Sequence, residues 1–276
     1  MASPGPTEPT TRKVSVDGAE IAVTLWGEGR PVLLVHGNPD SGMMWGGIAR
    51  RLAPRCRCIA PDLPGFGDSD VPAGFEPSLD GMARFVQQLV SAVDIEPPID
   101  LIAHDFGGPF AFAWAVQHAA AVRRIVAINT VFFSDYRWHF WARVWRTPIL
   151  GELSMAAMNR RMFAQELRRG SDNRMPQEHI DRTWSLMTPR LKREVLRLYR
   201  ASDPANFSAW EEKFLALTAA KPTLVIWGDR DPYIASRYAE RFGASEVVHL
   251  AEVGHWAPVE APAACADAIG RFFAET

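Results

Sequence analysis

An aspartate stands at the tip of a predicted strand–turn–helix unit, where it could act as a nucleophile. The segment LIAHDFGGPF (101–110) runs from an apolar strand pattern into a helical one, with Asp105 in the turn. The comparable G-x-S-x-G turn holds a serine at this position. A carboxylate that attacked a carbonyl carbon would form a reactive anhydride, whereas it is a competent nucleophile towards an sp3 carbon that bears a leaving group. The sequence therefore predicts an alkyl ester on Asp105 as the reaction intermediate.

Two stretches near the C-terminus carry groups that could hydrolyse such an ester. The segment WGDRDP (227–232) follows a short apolar strand pattern and offers Asp229 and Asp231, and VGHW (253–256) offers His255 before the last helical pattern. A histidine held by a carboxylate can take a proton from water, which then attacks the ester carbonyl. We predict this role for His255, with one of the two aspartates orienting its ring.

Short apolar strand patterns alternate with amphipathic helical patterns along most of the chain, which predicts a doubly wound, mostly parallel α/β sheet. The runs PVLLV (31–35), IVAI (125–128) and TLVIW (223–227) are continuously apolar, as expected of strands buried on both faces. Ligands of such sheets bind at the carboxyl ends of the strands. HGNPD (36–40) and Asp105 both fall at predicted strand ends, which places them at one edge of the sheet.

One segment interrupts this alternation. From about residue 133 to residue 220 the sequence has only helical patterns, rich in Arg and Trp, which predicts a helical cap inserted between two sheet strands. We therefore predict a core domain of residues 13–132 and 221–276, a cap of residues 133–220, and a flexible N-terminal tail of residues 1–12, which is rich in Pro and Thr.

Composition limits the classes of partner. The 276 residues are 47% hydrophobic with a formal net charge of −2, so the chain can bury a large core and has no global field that favours nucleic acid or a membrane surface. Three cysteines, the absence of a signal-peptide pattern and the absence of a long apolar run predict a cytoplasmic protein. No metal-ligand spacing or phosphate-binding glycine loop occurs, so we predict no metal and no cofactor. The sequence leaves the oligomeric state open.

The order of these motifs resembles that of the α/β-hydrolase superfamily, over essentially the whole chain after the tail. The HGNP segment, the nucleophile, the cap, the acid and the histidine follow one another as they do there. The HDxGG turn is similar to that of epoxide hydrolases and of haloalkane and haloacetate dehalogenases. The resemblance implies an eight-stranded α/β-hydrolase sheet with an inserted helical cap.

The resemblance also implies which residues form the triad. The family's acid lies three residues after the strand-terminal glycine, which selects Asp231 as the partner of His255 and leaves Asp229 as the alternative. Asn129, at the end of the sixth predicted strand, occupies the position of the glutamate found in some dehalogenases. Its amide cannot serve as the acid, which favours Asp231. The predicted triad is therefore Asp105, His255 and Asp231.

Backbone donors are expected around the nucleophile. The N–H groups of Asn38 and Phe106 would form an oxyanion hole, with each donor contributing about 2.7–4 kcal/mol to the second step. Gly37 and Gly107 would let the backbone approach closely. The same donors, together with a helix N-terminus, would favour the ionised form of Asp105 at neutral pH.

An epoxide hydrolase must protonate an alkoxide, so it needs acidic groups in its cap. The segment RLYR (197–200) resembles the family's cap tyrosine segment, which makes Tyr199 one candidate donor. The resemblance places the other donor near the start of the cap, where His139 is the candidate, with Tyr136 behind it.

A haloalkane dehalogenase instead binds the departing halide with two N–H donors. Asn38 resembles one of them, but Phe106 stands where the family carries its indole, so a cap indole such as Trp141 would have to replace it. Haloacetate dehalogenases use arginines just after the nucleophile, where this chain has Phe106 and Pro109, and they are set aside.

Aromatic residues of the cap predict the character of the substrate. Trp138 and Trp141 are spaced to share an apolar face, which could line a pocket or simply pack the cap onto the core. We predict an epoxide hydrolase that acts on a small hydrophobic or aromatic substrate. The alternatives are a haloalkane dehalogenase and a catalytically silent binding protein of the same fold, although silent relatives typically lose a member of the triad.

Overall fold

An eight-stranded sheet forms the centre of the computed structural model, which describes residues 8–276. The strand order is β1-β2-β4-β3-β5-β6-β7-β8, with β1–β2 and β2–β4 antiparallel and the other pairs parallel. The strands are β1 (Thr10–Val16), β2 (Ala19–Trp26), β3 (Arg30–Val35), β4 (Cys56–Pro61), β5 (Ile99–His104), β6 (Val122–Ile128), β7 (Thr223–Gly228) and β8 (Glu246–Leu250). This architecture confirms the predicted fold class.

Helices cover both faces of the sheet, so its central strands are buried on both sides. The α-helices are α1 (Gly46–Leu52), α2 (Leu79–Ala92), α3 (Gly107–Gln117), α4 (Phe140–Arg146), α5 (Leu150–Ala157), α6 (Arg160–Gly170), α7 (Gln177–Leu186), α8 (Pro189–Ala201), α9 (Ser208–Ala220), α10 (Ala257–Glu260) and α11 (Pro262–Glu275). Alternate residues of β3 belong to two separate hydrophobic clusters: Leu33 packs with α2, α3 and α9, and Leu34 packs with α1 and α11. The continuous apolar runs of the sequence reflect this burial on both faces.

Six α-helices, α4 to α9, lie between β6 and β7, and this segment contains no strand. We refer to residues 133–220 as the helical insertion. Its last helix, α9, packs against α3 of the core, whereas α4, α5 and α8 pack on one another. Among residues 8–276, no helix is both long enough and apolar enough to cross a membrane.

The predicted N-terminal tail is too long. Residues 1–7 lie outside the described part of the chain, but β1 begins at Thr10, which pairs with Leu25 of β2, and ends at Val16, which pairs with Ala19. The residues Thr10–Arg12 therefore belong to the sheet, and assigning them to the tail was wrong. Thr11 and Thr24 lie opposite each other with their hydroxyl oxygens 3.3 Å apart. The β-branched Thr10 and Thr11 suit a strand, although the sequence around them is polar and was assigned to the tail.

A buried ion pair joins two neighbouring strands to the C-terminal helix. The Arg124 guanidinium of β6 donates two hydrogen bonds of 2.8 Å to the two carboxylate oxygens of Asp100 in β5, and both side chains are fully buried. Arg124 also donates to the backbone oxygen of Phe273 in α11 at 2.9 Å. Because each charge depends on the other for solvation, removal of one leaves the other unpaired in the interior.

We expect the substitution Asp100→Ala to reduce the free energy of unfolding by about 3–5 kcal/mol, since it leaves Arg124 without its carboxylate. Urea denaturation followed by circular dichroism measures this loss. The control is Arg123→Ala, because Arg123 lies 3.7 Å from Asp100 but is partly exposed, and we expect it to cost about 1 kcal/mol or less. Equal losses in the two variants would contradict this account.

Candidate active site

The predicted nucleophile lies in a sharp turn between β5 and α3. Asp105 has a φ of 49°, in the left-handed region that aspartate tolerates better than most residues. The Thr130 hydroxyl donates to its backbone oxygen at 2.6 Å. A Cβ atom on Gly107 would lie 2.0 Å from the backbone oxygen of Val35, so only glycine fits there. These constraints present the Asp105 carboxylate at the carboxyl edge of the sheet.

Three side chains predicted as a triad lie together at this edge. His255 Nδ1 is 2.7 Å from Asp231 Oδ2, and His255 Nε2 is 3.7 Å from Asp105 Oδ1. The other oxygen of Asp231 accepts hydrogen bonds from the backbone N–H groups of Tyr233 and Ile234, at 2.7 and 3.0 Å. The acid is therefore fixed on one side by backbone donors and holds the imidazole on the other.

The second candidate acid lies elsewhere. Asp229 Oδ1 is 2.6 Å from Nδ1 of His249, a partly exposed histidine whose Nε2 also contacts Glu240 at 3.0 Å. Asp229 thus serves a surface cluster, and the structure brings Asp231 to His255.

In the three triad residues, burial and the neighbouring charges shift the pKa in opposite directions. Burial raises the pKa of Asp231, but the nearby His255 and the backbone donors more than offset it, so its pKa lies below the usual value. Burial lowers the pKa of His255, yet Asp231 and then Asp105 raise it above 6.5. For Asp105 burial is the stronger effect, and its pKa is raised despite the N–H donors of Phe106 and Asn38.

The expected oxyanion donors lie beside the Asp105 carboxylate. The Asn38 N–H donates to Asp105 Oδ2 at 2.7 Å, and the Phe106 N–H also donates to the carboxylate. A Cβ atom on Gly37 would lie 2.3 Å from Oδ2, which explains the glycine. His255 approaches Oδ1 and the Asn38 N–H donates to Oδ2, so the two oxygens have different surroundings.

Asn129 has a function that the sequence did not reveal. Its amide nitrogen donates to Asp231 Oδ2 at 2.9 Å, and its amide oxygen accepts from the Gly228 N–H at 2.9 Å. Oδ2 of Asp231 therefore accepts hydrogen bonds from both the Asn129 amide and Nδ1 of His255. The position of Asn129 at the end of β6, beside the end of β7, could have predicted this contact with Asp231. From the sequence, this position showed only that residue 129 cannot be the acid.

His36 and His104 brace the backbone around the site. His36 Nε2 accepts the Leu63 N–H at 2.9 Å, and His104 Nε2 lies 2.8 Å from the backbone oxygen of His255. Burial lowers the pKa of His104 to about 3, so this ring is neutral and its Nε2 donates to that oxygen.

A cavity of about 110 Å³ lies between the triad and the helical insertion. Residues predicted for the nucleophile, the base, the donors and the pocket all line it: Asn38, Asp105, Phe106, Trp138, His139, Trp141, Tyr199 and His255. Most of the remaining lining residues are aliphatic, aromatic or Met side chains, and Glu166 is the one further charged residue in the lining. The cavity therefore suits an uncharged, apolar ligand.

Two of the predicted cap donors face this cavity as neutral groups. Burial, followed by the nearby Asp105, raises the pKa of Tyr199 well above 10, so its hydroxyl stays protonated. Burial and the adjacent His255 lower the pKa of His139 to about 4. His139 Nδ1 accepts the Ala142 N–H at 3.4 Å, which leaves the ring proton on Nε2. Tyr136 instead donates its hydroxyl to the backbone oxygen of Tyr233 at 3.2 Å.

The two predicted pocket tryptophans differ in their surroundings. Trp141 lies near the Glu166 carboxylate, which accepts the Tyr233 hydroxyl at 2.9 Å. Trp141 lines the cavity, and its role as a replacement halide donor stays a prediction. The Trp138 indole nitrogen is buried without a hydrogen-bond partner in the described structure, and its ring stacks 6.0 Å from that of Phe106.

No cluster of three His, Cys, Asp or Glu side chains suited to a metal occurs among residues 8–276.

The pKa of His255 can test the assignment of the acid. We expect Asp231→Asn to lower the pKa of His255, because burial is then opposed by less negative charge. Asp229→Asn should leave that pKa unchanged and lower the pKa of His249, which Asp229 raises. NMR titration of the imidazole resonances in both variants measures these shifts. A fall in the pKa of His255 in the Asp229 variant would contradict the geometry.

Comparison with known proteins identifies the family. Residues 30–262 match the family model of the alpha/beta hydrolase fold. Haloalkane dehalogenase 2 of Mycobacterium tuberculosis is 29% identical over 255 residues, which cover 88% of this chain and 87% of the relative. Haloalkane dehalogenase DbeA from Bradyrhizobium elkani has the same fold with a TM-score of 0.82 at 23% identity, over 98% of this chain and 100% of that one. Epoxide hydrolase CorEH matches with a TM-score of 0.81 at 23% identity, over 97% and 99%. The chain therefore belongs to the α/β-hydrolase fold family, and haloalkane dehalogenases and epoxide hydrolases are among the proteins that it is similar to.

Proposed function

We propose that this hydrolase opens epoxides to diols through a covalent ester on Asp105. One observation carries the proposal: two neutral proton donors of the insertion, Tyr199 and His139, line the same cavity as the nucleophile. An epoxide oxygen that leaves a carbon atom needs such a donor, because an alkoxide is a poor leaving group until it is protonated.

The first step uses the oxygen of Asp105 that the backbone leaves free. Oδ1 attacks a ring carbon, the carbon–oxygen bond of the epoxide breaks, and the alkoxide takes the proton of Tyr199, with His139 as the second donor. An alkoxide is a stronger base than a phenolate, so a tyrosine with a raised pKa can still protonate it. The product is a hydroxyalkyl ester of Asp105.

The second step hydrolyses this ester. His255 takes a proton from water, and the hydroxide attacks the ester carbon of Asp105 while Asp231 stabilises the imidazolium. The negative charge then develops on Oδ2, which already lies 2.7 Å from the Asn38 N–H. Collapse of this intermediate breaks the ester bond and releases the diol, whose new hydroxyl receives the proton from His255. The other proton of the water, left on the Asp105 carboxyl, returns to the Tyr199 phenolate, and the oxygen of the water remains in the Asp105 carboxylate.

The cavity supports a small and uncharged substrate. No Lys or Arg side chain is among the residues that line it, so a substrate carboxylate would find no counter-ion there. Its volume of about 110 Å³ is of the same order as that of an apolar cavity of roughly 150 Å³ that admits benzene. We therefore expect epoxides that carry one small ring or a short alkyl chain.

Trapping the ester tests the reaction type. In the His255→Ala variant the second step loses its base, so the ester on Asp105 should accumulate and appear in the intact mass after exposure to epoxides and haloalkanes. A gain equal to a whole epoxide supports the proposal. The control Asp105→Ala, His255→Ala should gain no mass. A folded His255→Ala protein that gains no mass from any compound would contradict the proposal and favour a binding protein.

We expect Tyr199→Phe to reduce epoxide opening by about 10²-fold or more, as for a lost general acid. Single-turnover kinetics of ester formation measures this step directly. The matched control is Tyr136→Phe, because the Tyr136 hydroxyl is already bonded to a backbone oxygen. If the Tyr199 variant opens epoxides at the wild-type rate, Tyr199 is not the acid.

Haloalkane dehalogenation is the second candidate, and a different observation favours it. The unpartnered indole N–H of Trp138 lines the cavity together with Asn38, so two N–H donors are available for a halide. The curated relative from Mycobacterium tuberculosis is also named a haloalkane dehalogenase. In the trapping experiment this reaction would add the mass of the haloalkane less one hydrogen halide.

A further inference from the structure

A second buried aspartate–histidine pair connects the helical insertion to the loop that carries Asn38. His179 Nε2 in α7 is 2.8 Å from Asp40 Oδ2, and the two residues are only 5% and 1% exposed. Arg182 Nη2 donates to His179 Nδ1 at 2.8 Å. Because arginine can only donate, Nδ1 is the acceptor and the ring proton lies on Nε2, where it is donated to Asp40.

The loop of residues 36–42 is anchored differently at its ends and at its centre. Its ends are bound to the core, since His36 accepts the Leu63 N–H at 2.9 Å and the Gly42 N–H donates to Asp62 at 2.7 Å. At its centre the Asp40 carboxylate reaches across to α7, while the Asp40 N–H bonds within the loop to Gly37. The insertion therefore holds the part of the loop that contains the oxyanion donor.

We propose that Asp40, His179 and Arg182 are positioning residues, which hold the Asn38 N–H against Oδ2 of Asp105 and thereby accelerate hydrolysis of the ester. This inference rests on the proposed function, because it assigns the residues to its second step. None of the three takes part in the triad. Asp40 acts through a backbone group two residues away, and His179 and Arg182 act through Asp40.

The alternative is that the pair only stabilises the contact between insertion and core. In that case its loss would loosen the whole cavity and slow both chemical steps. A positioning role predicts an unequal effect, because attack by Oδ1 needs the oxyanion donor less than the second step, in which charge develops on Oδ2. The ratio of the two rates therefore distinguishes the two explanations.

The experiment measures formation and decay of the Asp105 ester by quenched-flow mass spectrometry with a small epoxide. We expect His179→Ala to slow decay by about 10-fold or more, which is less than the roughly 10²–10³-fold cost of removing an oxyanion donor because the N–H is displaced and not lost, and to change formation by less than about 3-fold. The ester should then accumulate during turnover. His179→Gln should restore decay, since its amide N–H can reach Asp40, and Arg182→Ala should give an intermediate effect.

The matched control is Arg190→Ala. Arg190 also joins the insertion to the core, at the backbone oxygen of Gly67 and at Asp70, but it does not contact the loop of residues 36–42. It should leave the ratio of decay to formation unchanged. The inference would be overturned if His179→Ala slowed both steps equally. It would also be overturned if Arg190→Ala lowered the ratio of decay to formation as much as His179→Ala does. If His179→Ala does not fold, unchanged decay in Arg182→Ala overturns it instead.

Hydrogen exchange gives a readout that does not require the reaction. The amides of residues 36–42 should exchange faster in His179→Ala and Arg182→Ala than in the wild type and in Arg190→Ala. Unchanged exchange would overturn the inference whatever the substrate is. Failure of the proposed function has a different signature, because no ester would then form in His255→Ala while the exchange difference persisted.

Discussion

The site depends on one carboxylate, Asp105, which lies at an apolar cavity and whose two oxygens have different neighbours. A buried carboxylate is costly unless it is hydrogen-bonded. Asp105 meets this condition on one oxygen only, since Oδ2 accepts the Asn38 N–H and Oδ1 faces His255. The left-handed turn, the glycine at Gly37 and the imidazole held by Asp231 all serve this asymmetry. In the proposed reaction, this asymmetry lets Oδ1 attack while the Asn38 N–H stabilises the negative charge that later develops on Oδ2.

The helical insertion does more than cover the cavity. The His255 N–H donates to the backbone oxygen of Gly170, at the end of α6, at 2.8 Å, while α7 reaches Asp40 through His179. Two consecutive helices of the insertion thus contact the two core loops at the site: α6 contacts the loop of His255, and α7 contacts the loop that carries Asn38. The insertion also carries Tyr199, the proposed proton donor, which lines the same cavity as Asp105.

The sequence predicted those features whose signals are local. A strand, a sharp turn and a helix are read within ten residues, and so the positions of Asp105 and His255 followed from their own segments. Contacts between distant polar residues were not predictable. Asp40 and His179 are 139 positions apart, and neither segment has a pattern that selects the other. The start of β1 was missed because Thr10–Arg12 are polar, and only pairing with β2 shows that they form a strand.

The amide of Asn129 has a consequence for how such sites diversify. It places a second polar side chain, from the neighbouring strand end, within reach of the same carboxylate oxygen that holds His255. The ends of β6 and β7 are adjacent in the sheet, so a carboxylate on either strand could face one imidazole. An exchange of amide and carboxylate between Asn129 and Asp231 would move the negative charge by one strand while leaving the histidine in place. The two strand ends thus share one hydrogen-bonded group, in which Asp231 lies between the amide of Asn129 and the imidazole of His255.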